Sequence, residues 1–171
     1  TERQRVSEIR VRLATPEDAS TIVRFIRGLA EFEGEPLSSV KVTEAEIVRD
    51  GFGPTPRFES LIAERDGGPV GFFLFFMNYS TWEGTAGIHI EDLFVVEKAR
   101  RDGGGRALMA LAEAIAWERG SVRVGLSVLD WNPARAFYER LGMSQQREWL
   151  AYRLDAPGIA LLAGEAGAFE K

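Results

Sequence analysis

The stretch "IEDLFVVEKARRDGGGRALMALAEAI" (residues 90 to 115) limits the folds open to this chain more than any other. An apolar, β-rich run passes through two arginines into three consecutive glycines, and a helix with Leu108, Leu111, Ala112 and Ile115 on one side follows directly. A strand that turns into a helix within so few residues belongs to a sheet covered by helices. Glycine at a helix start costs helix propensity, so a run of them there needs a reason. The first amides of a helix have no intrahelical partner, and the helix dipole puts partial positive charge on them. Stripping the β-carbons from Gly103, Gly104 and Gly105 opens those N–H groups to a bulky anion, and Arg100, Arg101 and Arg106 surround the same spot. The segment therefore describes a pocket for a phosphate or a diphosphate.

The rest of the chain is consistent with one mixed sheet. "IRVRLA" (9 to 14) predicts a first strand, and Thr15, Pro16 and Asp18 predict the start of a helix whose buried stripe is Ile22, Phe25, Ile26 and Leu29. Thr43 and Glu46 have capping-box spacing at the head of a short helix. "ESLIAERD" and "PVGFFLFFMNYS" flank Asp66-Gly67-Gly68, a strong hairpin signal. "GIHIEDLFVV" (87 to 96), "VRVGLSVL" (122 to 129) and "REWLAYRLD" (147 to 155) predict further strands, and "NPARAFYERLG" (132 to 142) a helix. The expected fold is α/β, a central twisted mixed sheet of about six to seven strands with helices on both faces, in a single domain over 1–171 with its core at 9–154. Residues 156–171 form a tail rich in small side chains.

Composition closes several other routes. With 171 residues, 45% of them hydrophobic, the chain can fill one core. A net charge of −5 argues against a nucleic-acid footprint and tolerates a cationic substrate. There is no cysteine, and His89 is the single histidine, so thiolate sites and histidine metal clusters lack members and no metal is expected. No apolar run exceeds six residues, the length of "FFLFFM" (72 to 77), far below the roughly 20 needed to span a bilayer. "TERQRVSEIR" at the start carries no apolar signal-peptide core, so a cytoplasmic protein without membrane partners is expected.

Two familiar phosphate loops do not fit: no lysine follows the glycines as a Walker loop requires, and Leu108 stands where a dinucleotide fingerprint has its third glycine. "RRDGGG" does match Arg/Gln-x-x-Gly-x-Gly, with Arg100, Gly103 and Gly105 at the fixed positions. It resembles the acetyl-CoA diphosphate loop of the GNAT superfamily of N-acetyltransferases, and the element order agrees over about residues 9 to 154. The segments "LAEFEG", "DGFGPTPRFESLIAE", "IEDLFV" and "LDWN" are similar to the spermidine/spermine and thialysine acetyltransferase group. The resemblance implies a homodimer that uses acetyl-CoA to acetylate a primary amine of a small cationic molecule, polyamine or lysine-like, by direct attack in a ternary complex.

It also implies roles for individual residues. Arg100, Arg101, Asp102, Gly103, Gly104, Gly105 and Arg106 would hold the cofactor at the loop. Backbone amides near Leu93, Phe94 and Val95, freed by a bulge, would hold it along the strand, and Asn132 and Tyr138 would complete its site. Arg101 stands where the group usually has glycine, and the family commonly has one more residue between Asn132 and Tyr138. Phe32 and Glu33 fall at the group's amine-binding pair, and Trp82 falls near another residue of the substrate cleft.

The chemistry asks for acid and base. An alkylammonium with a lysine-like pKa leaves only about one molecule in a few thousand neutral at pH 7, so a proton must first be removed. "HIEDLF" offers Glu91 and Asp92, which strand alternation sends to opposite faces; the resemblance picks Glu91 as base through a water or as ammonium anchor, with Asp92 also at the substrate. Tyr138, beside the core positions Phe137 and Leu141, is the candidate acid for the departing thiolate. Glu31, Glu33 and Glu35 cluster after the first helix and suit a cation. His89 reads as a sheet-surface residue. A protein-amine acetyltransferase and a non-catalytic acyl-CoA binding or sensing module are the alternatives for the same residues.

Overall fold

The computed structural model describes residues 8–166, which divide into two compact units after Asn132. In the first unit, β1 (Arg10–Leu13), β2 (Glu59–Arg65), β3 (Gly68–Ser80), β4 (Thr85–Val95) and β5 (Val124–Leu126) form one five-stranded sheet in that order. β1 to β4 are antiparallel and β5 joins β4 in parallel, so the sheet is mixed as expected. Its helices are α1 (Ala19–Phe32), α2 (Glu44–Phe52) and α3 (Gly104–Glu118).

Local chemistry sets the boundaries. Asp66 and Gly67 join β2 to β3 with φ of 53° and 76°, the two left-handed residues that match the twist of a two-residue hairpin. The capping box at α2 forms in both directions: the Thr43 N–H donates to Glu46 Oε2 at 2.9 Å, and the Glu46 N–H donates to the Thr43 hydroxyl at 3.4 Å. At α1 the expected start unwinds into a 3-10 turn over Pro16–Asp18. There Asp18 accepts from the Thr15 N–H and takes a forked bond from Arg12, which also reaches Glu64, tying β1, β2 and the turn together.

Alternation along the strands sorts the core onto two faces. Ile62, Phe72 and Leu74 lie under α1 and α2 with Ile22, Val23, Phe25 and Ile47. Leu61, Phe73 and Phe75 point to the other face, which α3 covers with Leu108, Met109 and Ala112. Phe94 packs on the α1 side, its ring 5.6 Å from that of Phe25, and Gly28 leaves α1 just enough room to cross it: a β-carbon there would lie 2.7 Å from Phe94 Cζ.

The second unit contains α4 (Ala134–Arg140) and α5 (Ala156–Ala163). Two strand expectations are corrected. The fifth strand is confined to Val124–Leu126, because it pairs only with Ile88–Ile90 of β4. The run 147–155 is no strand in the described residues: an apolar-rich run is a local pattern, but a strand exists only where a ladder partner lies alongside. Among the described residues the sheet therefore has five strands, slightly fewer than the six to seven expected. Of the expected tail, 156–163 is helical, and 167–171 lie outside the described residues.

Candidate active site

The loop between β4 and α3 has the geometry its glycines suggest. Gly103 sits at φ +85°, a left-handed conformation that suits glycine, immediately before the helix. The first intrahelical bond of α3 runs from the Ala107 N–H to the Gly103 carbonyl at 2.9 Å, so the amides of Gly104, Gly105 and Arg106 precede any such partner. Gly104 is buried, and a β-carbon on it would meet Val95 Cγ1 at 3.3 Å, so its bareness lets the helix tip press onto β4. A β-carbon on Gly103 would meet nothing within 4 Å. An open approach to bare amides, flanked by the exposed Arg101 and Arg106, fits an anionic group.

Two loop side chains are engaged elsewhere. Asp102 is ion-paired to Arg65 at the end of β2, a partner that no local sequence pattern marks. Arg100 folds back: its Nε donates to the Val95 carbonyl at 2.8 Å, and its guanidinium lies 4.8 Å from the Phe32 ring centre and 5.6 Å from that of Phe94.

β4 carries the expected bulge, at Glu91. Leu74 of β3 faces Asp92 while the next residue, Phe75, faces Ile90, leaving Glu91 as the extra residue. Beyond Ile90 the strand has no pairing with β5. The Val96 N–H donates to the Val70 carbonyl at 2.8 Å, so alternation turns the Phe94 amide towards β3 and those of Leu93 and Val95 towards the edge that β5 has left. Two of the three expected strand amides thus face the open edge. The third, Phe94, belongs to the ladder, and its side chain belongs to the core.

The bulge also corrects the expectation that Glu91 and Asp92 point to opposite faces. Asp92 faces Leu74, on the α1 side. His89 faces Phe76 on that same side, its ring 4.9 Å away, and the Glu91 carboxylate lies 3.7 Å from His89 Nε2. An extra residue cancels the alternation and brings both carboxylates to one face. Their settings differ. Glu91 is 57% exposed, whereas burial, reinforced by the like charges of Glu91 and Glu33, pushes the Asp92 carboxyl up to about 7. Glu33, at the end of α1, is itself raised by burial and then by Glu35. Glu33 and Glu91 thus both act electrostatically on Asp92, and the ring of Phe32, the residue before Glu33, lies 6.3 Å from that of Trp131 between centres. His89 was readable only as a surface residue; its link to Glu91 depends on the bulge.

One other expected residue lies apart from this group. Trp82 is 93% exposed at the β3–β4 hairpin tip, and at about 3.3 Å per residue the strand carries it roughly 20 Å from Glu91. Asn132 is buried, its N–H donating to the Leu129 carbonyl at 3.0 Å. Tyr138 is half-buried on α4 with its ring 5.3 Å from that of Phe137. Among the described residues, no group of three or more His, Cys, Asp or Glu is arranged to hold a metal ion, and no helix is long and apolar enough to cross a membrane.

The site thus combines a mixed sheet with a bulge at Glu91, a strand edge that β5 leaves open beyond Ile90, and a glycine-rich helix start. The sequence pattern of the Acetyltransferase (GNAT) family matches residues 25–143. The chain belongs to that family and is an acyltransferase. It is 34% identical over 171 residues to the thialysine N-epsilon-acetyltransferase of Mus musculus, spanning 93% of this chain and 99% of the relative. It is 30% identical over 195 residues to an L-ornithine N5-acetyltransferase of Arabidopsis thaliana, spanning 88% of this chain and 86% of that one. Among solved structures, an integron cassette protein from V. cholerae superposes with a TM-score of 0.75 at 21% identity, over 91% of this chain and 97% of that one, a likeness of fold.

Proposed function

We propose that this enzyme moves the acetyl group of acetyl-CoA to the terminal amine of a small cationic substrate, in a ternary complex and as a homodimer, with a lysine-like amino acid as the favoured acceptor class. The observation that carries the reading is the acidic group of Glu33, Glu91 and Asp92 beside the open edge of β4. The relatives named for thialysine and L-ornithine support a substrate with an amine at the end of a short chain.

The amides of Gly104, Gly105 and Arg106, with Arg101 and Arg106, would hold the diphosphate of the donor, and the amides of Leu93 and Val95 would hold its pantetheine arm and acetyl oxygen. Bound there, acetyl-CoA supplies an activated acetyl group with a good leaving sulfur. Glu33 and Glu91 attract the ammonium and orient it. Asp92, whose carboxyl sits near neutrality, accepts a proton from the amine directly or through a water, because an acid with a value close to the working pH is ionised often enough to take the proton and still basic enough to keep it. Tyr138 supplies the proton for the departing sulfur.

The test is thiol release with thialysine, lysine, ornithine, spermidine and a basic peptide. Turnover highest on the amino acids supports the proposal. Preference for spermidine moves the substrate to polyamines, preference for the peptide moves it to protein amines, and release at background with every amine favours an acyl-CoA sensing module. Sedimentation of the full chain tests the homodimer. Tyr138→Phe is expected to lower the rate and remove the alkaline limb of its pH profile; an unchanged profile would remove Tyr138 from the acid role.

A further inference from the structure

The loop that holds bare amides for an anion also contains an acid, Asp102, directly before Gly103. A free carboxylate at that place would oppose any phosphate brought to the helix tip. In the structure it is not free. Arg65 Nη1 is ion-paired to Asp102 Oδ2 across a sequence separation of 37 residues, and the Arg65 side chain is only 19% exposed. Arg65 is well placed for this task because it ends β2, pairs in register with Gly68, and is followed at once by the tight Asp66-Gly67 turn. Its backbone is thus set by the sheet and not by the loop.

We infer that Arg65 is a positioning residue for the glycine loop, neutralising Asp102, holding its carboxylate away from the anion at the α3 tip, and fixing the turn into Gly103. The loop is then anchored twice to the sheet: Gly104 presses on Val95 of β4, and Asp102 is held by Arg65 of β2. The Asp102 N–H donates to the Ala99 carbonyl at 3.2 Å, so the ion pair grips the turn at the residue that leads into the left-handed Gly103. Anchoring at both ends presents the free amides already ordered, which lowers the cost of binding. This inference rests on the reading of the tip as the donor's diphosphate site.

The test is a double-mutant cycle on the full chain, with coenzyme A binding measured by calorimetry and the KM values by thiol release. Arg65→Gln leaves Asp102 unpaired, and coenzyme A binding is expected to weaken about tenfold, with the KM for acetyl-CoA rising by a similar factor and the KM for the amine staying put. Asp102→Asn alone, whose amide oxygen can still accept from Arg65 while the opposing charge is gone, should bind at least as tightly as wild type, and adding it to Arg65→Gln should restore the part of the affinity lost to the uncompensated charge. Arg65→Lys, which keeps the charge without the planar fork, should fall between. The inference is overturned if all four variants bind like wild type, or if the double variant binds as weakly as Arg65→Gln. Should Arg65→Gln not fold, Asp102→Asn binding more weakly than wild type would overturn it as well. Wild type that binds no coenzyme A would sink the reading of the tip and this inference together; wild type that binds, with no loss on Arg65→Gln, sinks the inference alone.

Discussion

Replacing Asp92 by Asn separates what this carboxyl does for chemistry from what it costs the fold. Asn imitates the protonated acid in shape, so the two proteins should differ only where Asp92 is ionised. In the folded chain, burial and the charges of Glu91 and Glu33 raise its value from the ordinary 3.8 to about 7. Below pH 3.8 the acid is protonated in both folded and unfolded chains, and it contributes no pH-dependent difference. As pH rises from there to about 7, the unfolded chain gives up a proton that the folded chain still holds, and folding is progressively disfavoured. Above pH 7 the cost is complete, and the gap between 3.8 and about 7 corresponds to up to about 4 kcal/mol. Asp92→Asn should therefore match wild type in urea melts at pH 4 and become the more stable protein at pH 8, by that amount at most. Its activity should move the other way. Loss of a general base costs about a hundredfold or more, and the wild-type rate should climb with pH through about 7, a climb absent in the variant. Glu33→Gln removes one of the neighbouring charges, so the midpoint of the wild-type climb should shift to lower pH. A stability gap that is flat from pH 4 to pH 8, or that favours wild type at pH 8, would refute the assignment of a desolvated, charge-crowded carboxyl at this position.

Other expectations follow from the same structure. Gly28→Ala places a β-carbon within 2.7 Å of Phe94 Cζ, which should cost about 1–3 kcal/mol by overpacking, read as a lower urea midpoint, and should disturb β4 just beside the open edge. Arg12 holds the Asp18 carboxyl below its usual value through a side-chain hydrogen bond, so the stability it adds is present above the ordinary 3.8 and is lost as pH falls through the folded value. Asp18→Asn should accordingly destabilise the chain at pH 7 and much less at pH 2, measured by thermal melts at both.

Much of this was legible in residues close together in sequence. The Asp66-Gly67 turn, the Thr43–Glu46 box and the glycine tip of α3 each depend on a few adjacent residues whose backbone requirements are local. The bulge at Glu91 depends on how β3 and β4 come into register, a long-range matter, and without it Glu91 and Asp92 read as facing opposite ways. The split role of the strand amides, Leu93 and Val95 outward and Phe94 inward, comes from the same register. The pairing of Asp102 with Arg65 joins residues with nothing between them in sequence to suggest contact. The run 147–155 shows the converse: its apolar and aromatic content suits a strand, but composition supplies no ladder partner. Its exposed Trp149, Leu150 and Tyr152 made the pattern look stronger than its pairing.

The claim that the α3 tip and the freed edge of β4 grip the donor is tested most directly by amide chemical shifts in the labelled protein as coenzyme A is added. The largest changes should fall on Gly104, Gly105 and Arg106 at the tip and on Leu93 and Val95 along the edge, with Phe94, held in the ladder, moving less. Saturable shifts centred elsewhere, with those five amides unmoved, would contradict it.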